Sequence, residues 1–218
     1  MAIAEMNYFQ NSENKRAESL IPWGSLLLTV FVLFIYVLPE TTLLMQFDRI
    51  QINEGQIWRI LTGHFTHWST NHLFWDLLVF VILGVICERI NRKSYLVCLV
   101  LSTVCISLGV FIFLPEMELY RGLSGIDSAL FVLLMVEILK RKYKEKSYIW
   151  IFVILFGFFC FISKLLFEIF SGETIFVESS GVMIPVPLAH LIGGIVGILS
   201  NIFKLNRIEQ IYLWIYNI

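Results

Sequence analysis

Six apolar runs, each close to the length needed to cross a lipid bilayer, constrain this chain more than anything else in it. They are Ile21 to Leu38, Trp68 to Cys87, Tyr95 to Leu114, Ser124 to Leu139, Tyr148 to Phe170 and Leu188 to Phe203. A bilayer core takes roughly 20 residues of helix, and backbone surrounded by lipid must satisfy its own hydrogen bonds, so the runs are expected as helices. Of the 218 residues, 58% are hydrophobic, above the roughly 45–50% of soluble domains, and the excess sits in these runs. The expected fold is an all-α polytopic membrane protein, a bundle of six transmembrane helices. The domain is expected over 21–203, between an N-terminal tail (1–20) and a C-terminal tail (204–218).

The connections carry further information. Residues 39–63 mix Pro39, Glu40, Asp48, Arg49, Glu54 and Gly55 with apolar residues. They are too polar to span and too apolar for a free linker, and are expected as a loop lying partly in the interface. Pro115 to Arg121 reads as a short acidic loop, Lys140 to Lys146 as a basic turn, and Ser171 to Pro187 as a loop with Gly172, Gly181 and two prolines. The tail 204–218 alternates polar and aromatic residues and is expected on the membrane surface. No cleavable signal peptide is expected, because the first twenty residues are polar and no A-x-A site follows the first run.

Charge sorts the loops. One side holds twelve of the 16 Lys and Arg residues and the other holds Arg49, Arg59 and Arg121, with Lys164 inside a span. The positive-inside bias puts both tails in the cytoplasm and Ser124 near the outer face. A net charge of −1 implies no polyanion partner, and no nucleic-acid signature is present. The four cysteines lie in or beside apolar runs and form no CxxC pair, which argues against a disulfide framework and a thiolate zinc site.

Polar residues inside a membrane are costly and mark function by default. Ser124 stands in Gly122-Leu123-Ser124-Gly125, a polar turn opening into an apolar helix. Gly122 permits a tight turn and Gly125 a close approach. The free N–H groups and dipole of a helix N-terminus suit an oxyanion of acyl transfer. Taken alone, the tetrapeptide is better explained by an ordinary serine helix cap with close packing. His190 opens another apolar run, and Gly193, Gly194 and Gly197 share its face. On the fourth run Gly125, Ser128 and Ala129 form a matching stripe of small residues. Two such stripes let helices pack closely, which would bring Ser124 and His190 together as nucleophile and base.

His72 and Asp76 are four apart and share a helix face. His72 could donate to an oxyanion; Asp76 could do so only if protonated, and could instead orient His72. All four histidines, His64, His67, His72 and His190, are expected at the depth of Ser124. No acid is evident behind His190, so a Ser–His dyad is expected rather than a triad. Asp127 is expected to pair with an outer-loop arginine, and Lys164 and Glu168, four apart in the fifth run, to pair with each other or snorkel without a catalytic role.

Together these residues resemble the rhomboid family of intramembrane serine proteases over about residues 55–200. Trp58-Arg59 resembles the family's Trp-Arg motif, and His67 to Asp76 its His…His-x-x-x-Asn segment. Gly84 with Glu88-Arg89 resembles the end of that span. Gly122-Leu123-Ser124-Gly125 is similar to the family's Gly-x-Ser-Gly, and Ala189-His190-Leu191-Ile192-Gly193 with Gly197 to its catalytic histidine helix. The resemblance implies a six-helix rhomboid-like bundle, Ser124 as nucleophile, His190 as base, and an oxyanion hole of His72 and the Ser124 N–H beside Gly122. Asp76 stands where the family usually has asparagine, and Ser128 where some members carry tyrosine. Thr62-Gly63-His64 and Tyr120-Arg121-Gly122 are similar to the rhombosortase branch, which processes C-terminal sorting tails. The implied partners are a membrane-anchored protein substrate and the lipid bilayer, with no nucleic acid, cofactor or metal. The implied location is the inner membrane of a bacterium. Loop 171–187 and the fifth span are expected to gate access.

Two rival readings stay open at this point. An inactive rhomboid-like protein that binds transmembrane helices would account for Asp76. A metal hydrolase could use His64, His67, His72 and Asp76 or His190 as ligands, although HExxH is absent.

Overall fold

The computed structural model describes residues 21–174 and 185–201. The two tails and most of loop 171–187 lie outside the described residues. The chain is mostly helical, and all four cysteines are free.

Helix α1 (Trp23–Val37) stops at Leu38, whose extended backbone is what a following proline imposes. Pro39 opens α2 (Pro39–Met45), bent by 111° from α1. Strand β1 (Phe47–Asp48) follows, then α3 (Arg49–Asn53), capped by the Asp48 side chain accepting from the Gln51 N–H, and α4 (Arg59–Thr62). The segment expected as a loop is therefore a string of short helices. Its start signals are local, a proline at a first position and an aspartate cap, and too brief for a periodicity reading over 11–18 residues. The Arg59 guanidinium closes it by donating to the carbonyls of Leu43 and Gln46 at 2.8 and 2.9 Å.

Element α5 (Thr70–Phe113) covers the second and third runs as two helical limbs that meet at Asn91. The break falls between the second and third runs, at Asn91 (φ −154°, ψ 90°), whose side chain accepts from the Ser94 N–H and starts the second limb. Buried Glu88 ends the first limb against the N-terminus of α1, accepting from the N–H groups of Gly24 and Ser25 and from the Ser25 hydroxyl. Those N–H groups have no partner within their own helix, and an anion there is favoured by the helix dipole. At the far end, Arg49 donates to the carbonyls of Val110, Phe111, Leu114 and Met117, the last turn of α5 and the chain just beyond it.

Strand β2 (Leu119–Tyr120) pairs antiparallel with β1, Phe47 opposite Tyr120. This ribbon leads through Arg121 to Leu123 into α6 (Ser124–Lys144). The basic stretch expected as a turn is largely helical: α6 runs through Lys144, where cations suit the carbonyl end of a helix, and Glu145 pairs with Arg141 and Lys142. Helices α7 (Tyr148–Ser171) and α8 (Pro187–Ser200) complete the described chain.

By length and apolarity alone, α5 and α7 can cross a membrane, and the bent pair α1–α2 makes a third candidate. Helix α8 is shorter, at 14 residues, and α6 is charged in its last turns. Helix α6 sits centrally, packed on α5, α7 and α8, with Ile106, Leu123, Ile126, Leu130 and Ala189 buried around it. Helix α8 lies so close to it that a Cβ on Gly193 would run into the Gly125 carbonyl oxygen, and one on Gly197 into that of Ala129.

Candidate active site

Ser124 is the first residue of α6. The turn before it depends on Gly122, whose φ of +120° disfavours any side chain. Space forbids one as well, since a Cβ there would lie 2.7 Å from His72 Nε2. Arg121 steadies the turn from the other side. Its guanidinium donates to Gln46 Oε1 and to the His67 carbonyl and lies over the Trp68 ring, 4.3 Å from the centroid.

His190 stands in the first turn of α8 and is only 4% exposed. Its Nε2 is 3.0 Å from Ser124 Oγ. The contact spans 66 residues of sequence and depends on the close approach of α8 to α6 at Gly193. Ser128, one turn beyond Ser124, donates its hydroxyl to the Ser124 carbonyl at 2.9 Å.

An acid does stand behind His190. Glu168 Oε2 lies 2.7 Å from His190 Nδ1, and Lys164 donates to Glu168 Oε1 at 2.6 Å. Lys164 Nζ is also 3.2 Å from Nδ1. This corrects the expectation that no acid is placed to orient the histidine. Lys164 and Glu168 do pair, as expected, but inward: Glu168 is 3% exposed. Two ionisable residues within an apolar helix were the available signal; their spacing of four also satisfies a simple helix pair, which hid the third partner.

Asp76 faces the same place as an acceptor. Its Oδ2 takes the Leu123 N–H at 2.8 Å and lies 3.2 Å from His67 Nε2 and 3.1 Å from His72 Nε2. An ionised carboxylate can only accept, so this arrangement suits the alternative expected for Asp76, in which it orients His72, and adds a contact with the turn before Ser124. Asp127 is buried with Oδ1 unpartnered, and no arginine pairs with it among the described residues. The expected arginine pairing is therefore absent there.

The histidines divide. His64 is wholly buried, with Nε2 against the Thr103 carbonyl and Ser107 Oγ, and burial holds it down at about 4, well below the usual histidine range. It supports the fold beneath Tyr120, whose ring it meets edge-on. His67 and His72 share Asp76, while His190 has Ser124 and Glu168. Among the described residues no three His, Cys, Asp or Glu side chains converge in a way that could hold a metal ion.

Ser124, His190, His72 and Asp76 line one cavity of about 1210 Å³ between α5, α6 and α7. Its walls include Trp75, Phe131 and Phe161, and Trp68 and Arg121 also line it. Chemically, the arrangement pairs a hydroxyl with a ring nitrogen able to take its proton, at a helix N-terminus, inside a largely apolar chamber.

No curated protein matches this sequence. Residues 54–207 match the Rhomboid domain family, from the string of short helices through α8. That match covers well over half the chain, and with the apolar helices it makes this an integral membrane protein that belongs to the rhomboid family of intramembrane serine proteases.

Proposed function

We propose that this chain is a serine endopeptidase that hydrolyses a peptide bond in or near a substrate's transmembrane helix, with Ser124 as nucleophile and His190 as base. The observation that carries the reading is the 3.0 Å contact between Ser124 Oγ and His190 Nε2 beside the cavity. His190 Nε2 takes the serine proton as Oγ bonds to the scissile carbonyl carbon. The carbonyl oxygen becomes an oxyanion, stabilised by the Ser124 N–H and by the neighbouring His72 once its Nε2–H turns from Asp76 to the oxygen. His190 then protonates the leaving amine, and water hydrolyses the acyl-enzyme by the same route in reverse.

The two limbs of α5, with α1, α6, α7 and α8, make six spans in this reading. The lysine and arginine bias puts both tails in the cytoplasm and the cavity towards the outer face. A substrate helix must unwind to expose its backbone, so small or helix-breaking residues near the cut are expected. The Thr62-Gly63-His64 and Tyr120-Arg121-Gly122 motifs support a protein with a C-terminal sorting tail as substrate.

Helix α7 supports the gate: apart from Glu168, held on His190, only Ile154 and Leu165 on it are buried, so opening it away from Glu168 costs little apolar packing. Cross-linking α7 to the first limb of α5 is expected to block turnover of a helical substrate, and unchanged turnover would rule the gate out.

The central test is labelling of the purified full chain in detergent by a fluorophosphonate. Wild type is expected to label, Ser124→Ala and His190→Ala to fall at least about 100-fold, and a chelator to change nothing. A well-folded wild type that does not label would favour a non-catalytic binder of transmembrane helices. Labelling that disappears with chelator would favour a metal-dependent hydrolase.

A further inference from the structure

His190 Nδ1 has two neighbours that make opposite demands on it. Glu168 Oε2, at 2.7 Å, can only accept when ionised, so it calls for Nδ1–H. Lys164 Nζ, at 3.2 Å, can only donate, so it calls for a bare Nδ1. The two demands give different tautomers. With Nδ1–H, Nε2 is the lone-pair nitrogen facing Ser124 Oγ and can take its proton. With a bare Nδ1, Nε2 carries the hydrogen and cannot. Glu168 resolves the conflict in the productive direction, because its other oxygen occupies Lys164 at 2.6 Å while Oε2 takes Nδ1–H.

We propose that Glu168 is the positioning residue that fixes the tautomer and ring orientation of His190, with Lys164 as the cation that fixes which way Glu168 faces. The inference rests on the reading of His190 as base, and it replaces an isolated Ser–His pair with a Ser124–His190–Glu168 row built on three helices. Other ionisable groups near His190 are Asp76 and His72 on α5 and Asp127 on α6, which line the same cavity.

Lys164 makes the consequence of a Glu168→Gln change specific. Its ammonium would claim the amide oxygen, leaving the amide NH₂ turned towards Nδ1, where it forces the unproductive tautomer. Removing Lys164 as well frees the amide to rotate and offer its oxygen. Glu168→Gln is therefore expected to slow fluorophosphonate labelling of Ser124 by roughly 10²–10⁴-fold, and Glu168→Gln with Lys164→Met to recover at least about tenfold of that. A part that only stabilises the fold predicts a worse double variant, not a better one.

The pH dependence gives a second readout with opposite signs. Loss of the Glu168 anion destabilises the imidazolium, so the acid limb of the labelling rate moves to lower pH. Loss of the Lys164 cation alone stabilises the proton shared by the pair, so in Lys164→Met the limb moves to higher pH. Each shift is expected at about one unit or more.

The experiment is the labelling rate against pH for the full chain in detergent, for wild type, Glu168→Gln, Lys164→Met and the double variant, with Ser124→Ala and His190→Ala as references. Rescue by the double variant and the two opposed shifts would establish the proposal. Glu168→Gln within about threefold of wild type with an unmoved limb overturns it, while dependence on Ser124 and His190 leaves the broader reading intact. Labelling independent of Ser124 or His190 overturns that broader reading. If Glu168→Gln does not fold, an unmoved limb in Lys164→Met overturns the proposal. If wild type does not label, ¹⁵N NMR of the histidines decides: His190 protonated on Nδ1 in wild type and on Nε2 in Glu168→Gln supports it, and the same tautomer in both overturns it.

Discussion

Gly193→Leu is expected to abolish fluorophosphonate labelling of Ser124 and to remove the cooperative thermal transition of the protein in detergent. A Cβ at this position would overlap the Gly125 carbonyl oxygen, one residue beyond Ser124. Backbone cannot rotate away as a side chain can, so α8 must leave α6. In lipid no hydrophobic force pushes the helices back together, because lipid tails are as apolar as leucine. Close van der Waals contact between small residues is then most of what holds the pair, and Gly197 against the Ala129 carbonyl shows the same dependence one turn on. The change also moves His190, which is carried one turn earlier on the same helix. A displacement of about 1 Å between reacting groups costs on the order of 100-fold in rate, so even the milder Gly193→Ala is expected to lose roughly that much. Ile195→Leu, on an exposed part of α8, is the matched control and should be neutral. Wild-type labelling and unfolding in Gly193→Leu would mean that α8 does not pack on α6 in this register.

Asp76→Ala is expected to destabilise the protein by roughly 3–5 kcal/mol, the cost of removing one partner from a buried charged cluster. Oδ2 is shared by the Leu123 N–H, His67 Nε2 and His72 Nε2, all within 3.2 Å, and Asp76 is only 5% exposed. Alanine would leave all three without this acceptor in a place water reaches poorly. The turn that carries Gly122 and Leu123 into Ser124 would lose its anchor along with the His72 ring. Asp76→Asn keeps one oxygen for the Leu123 N–H and is expected to cost about 1–2 kcal/mol, nearer the value of a single hydrogen bond. Denaturant unfolding in detergent, followed by tryptophan fluorescence, would rank the two. An alanine variant as stable as wild type would show that the carboxylate holds nothing.

Much of this molecule is legible in its sequence. The apolar runs marked where α1, the limbs of α5, α6, α7 and α8 lie, because a chain in lipid has few alternatives to a helix. Ser124 and His190 were legible as a pair because glycine stripes on two helices imply a close approach. What stayed hidden depends on contacts that no short spacing encodes. Glu168 reads as the partner of Lys164 four residues earlier; its contact with His190 crosses from α7 to α8, 22 residues along the chain. Asp76 reads as a neighbour of His72, while the Leu123 N–H it caps is 47 residues away. Arg49 carries no motif, yet its four carbonyl partners fasten the string of short helices to the end of α5. The break between the second and third runs is legible as well, because Glu88 to Lys93 is polar, and it falls at Asn91; that Glu88 is held by N–H groups of α1 is not.

The placement of Ser124 and His190 on different helices has a bearing on how the protein is made. Synthesis begins at the N-terminus, so the ribosome delivers Ser124 well before His190, with Lys164 and Glu168 in between. Contacts of such long sequence separation close late in folding, after the local helices have formed. A growing chain therefore carries its serine through the next 66 residues of synthesis without His190 beside it. Only when the segment from Pro187 onward has left the ribosome and packed against α6 does the hydroxyl meet His190. Copies that stop before His190 thus lack the pair altogether, and under the proposed function the membrane around the translocation machinery meets no partly made hydrolase.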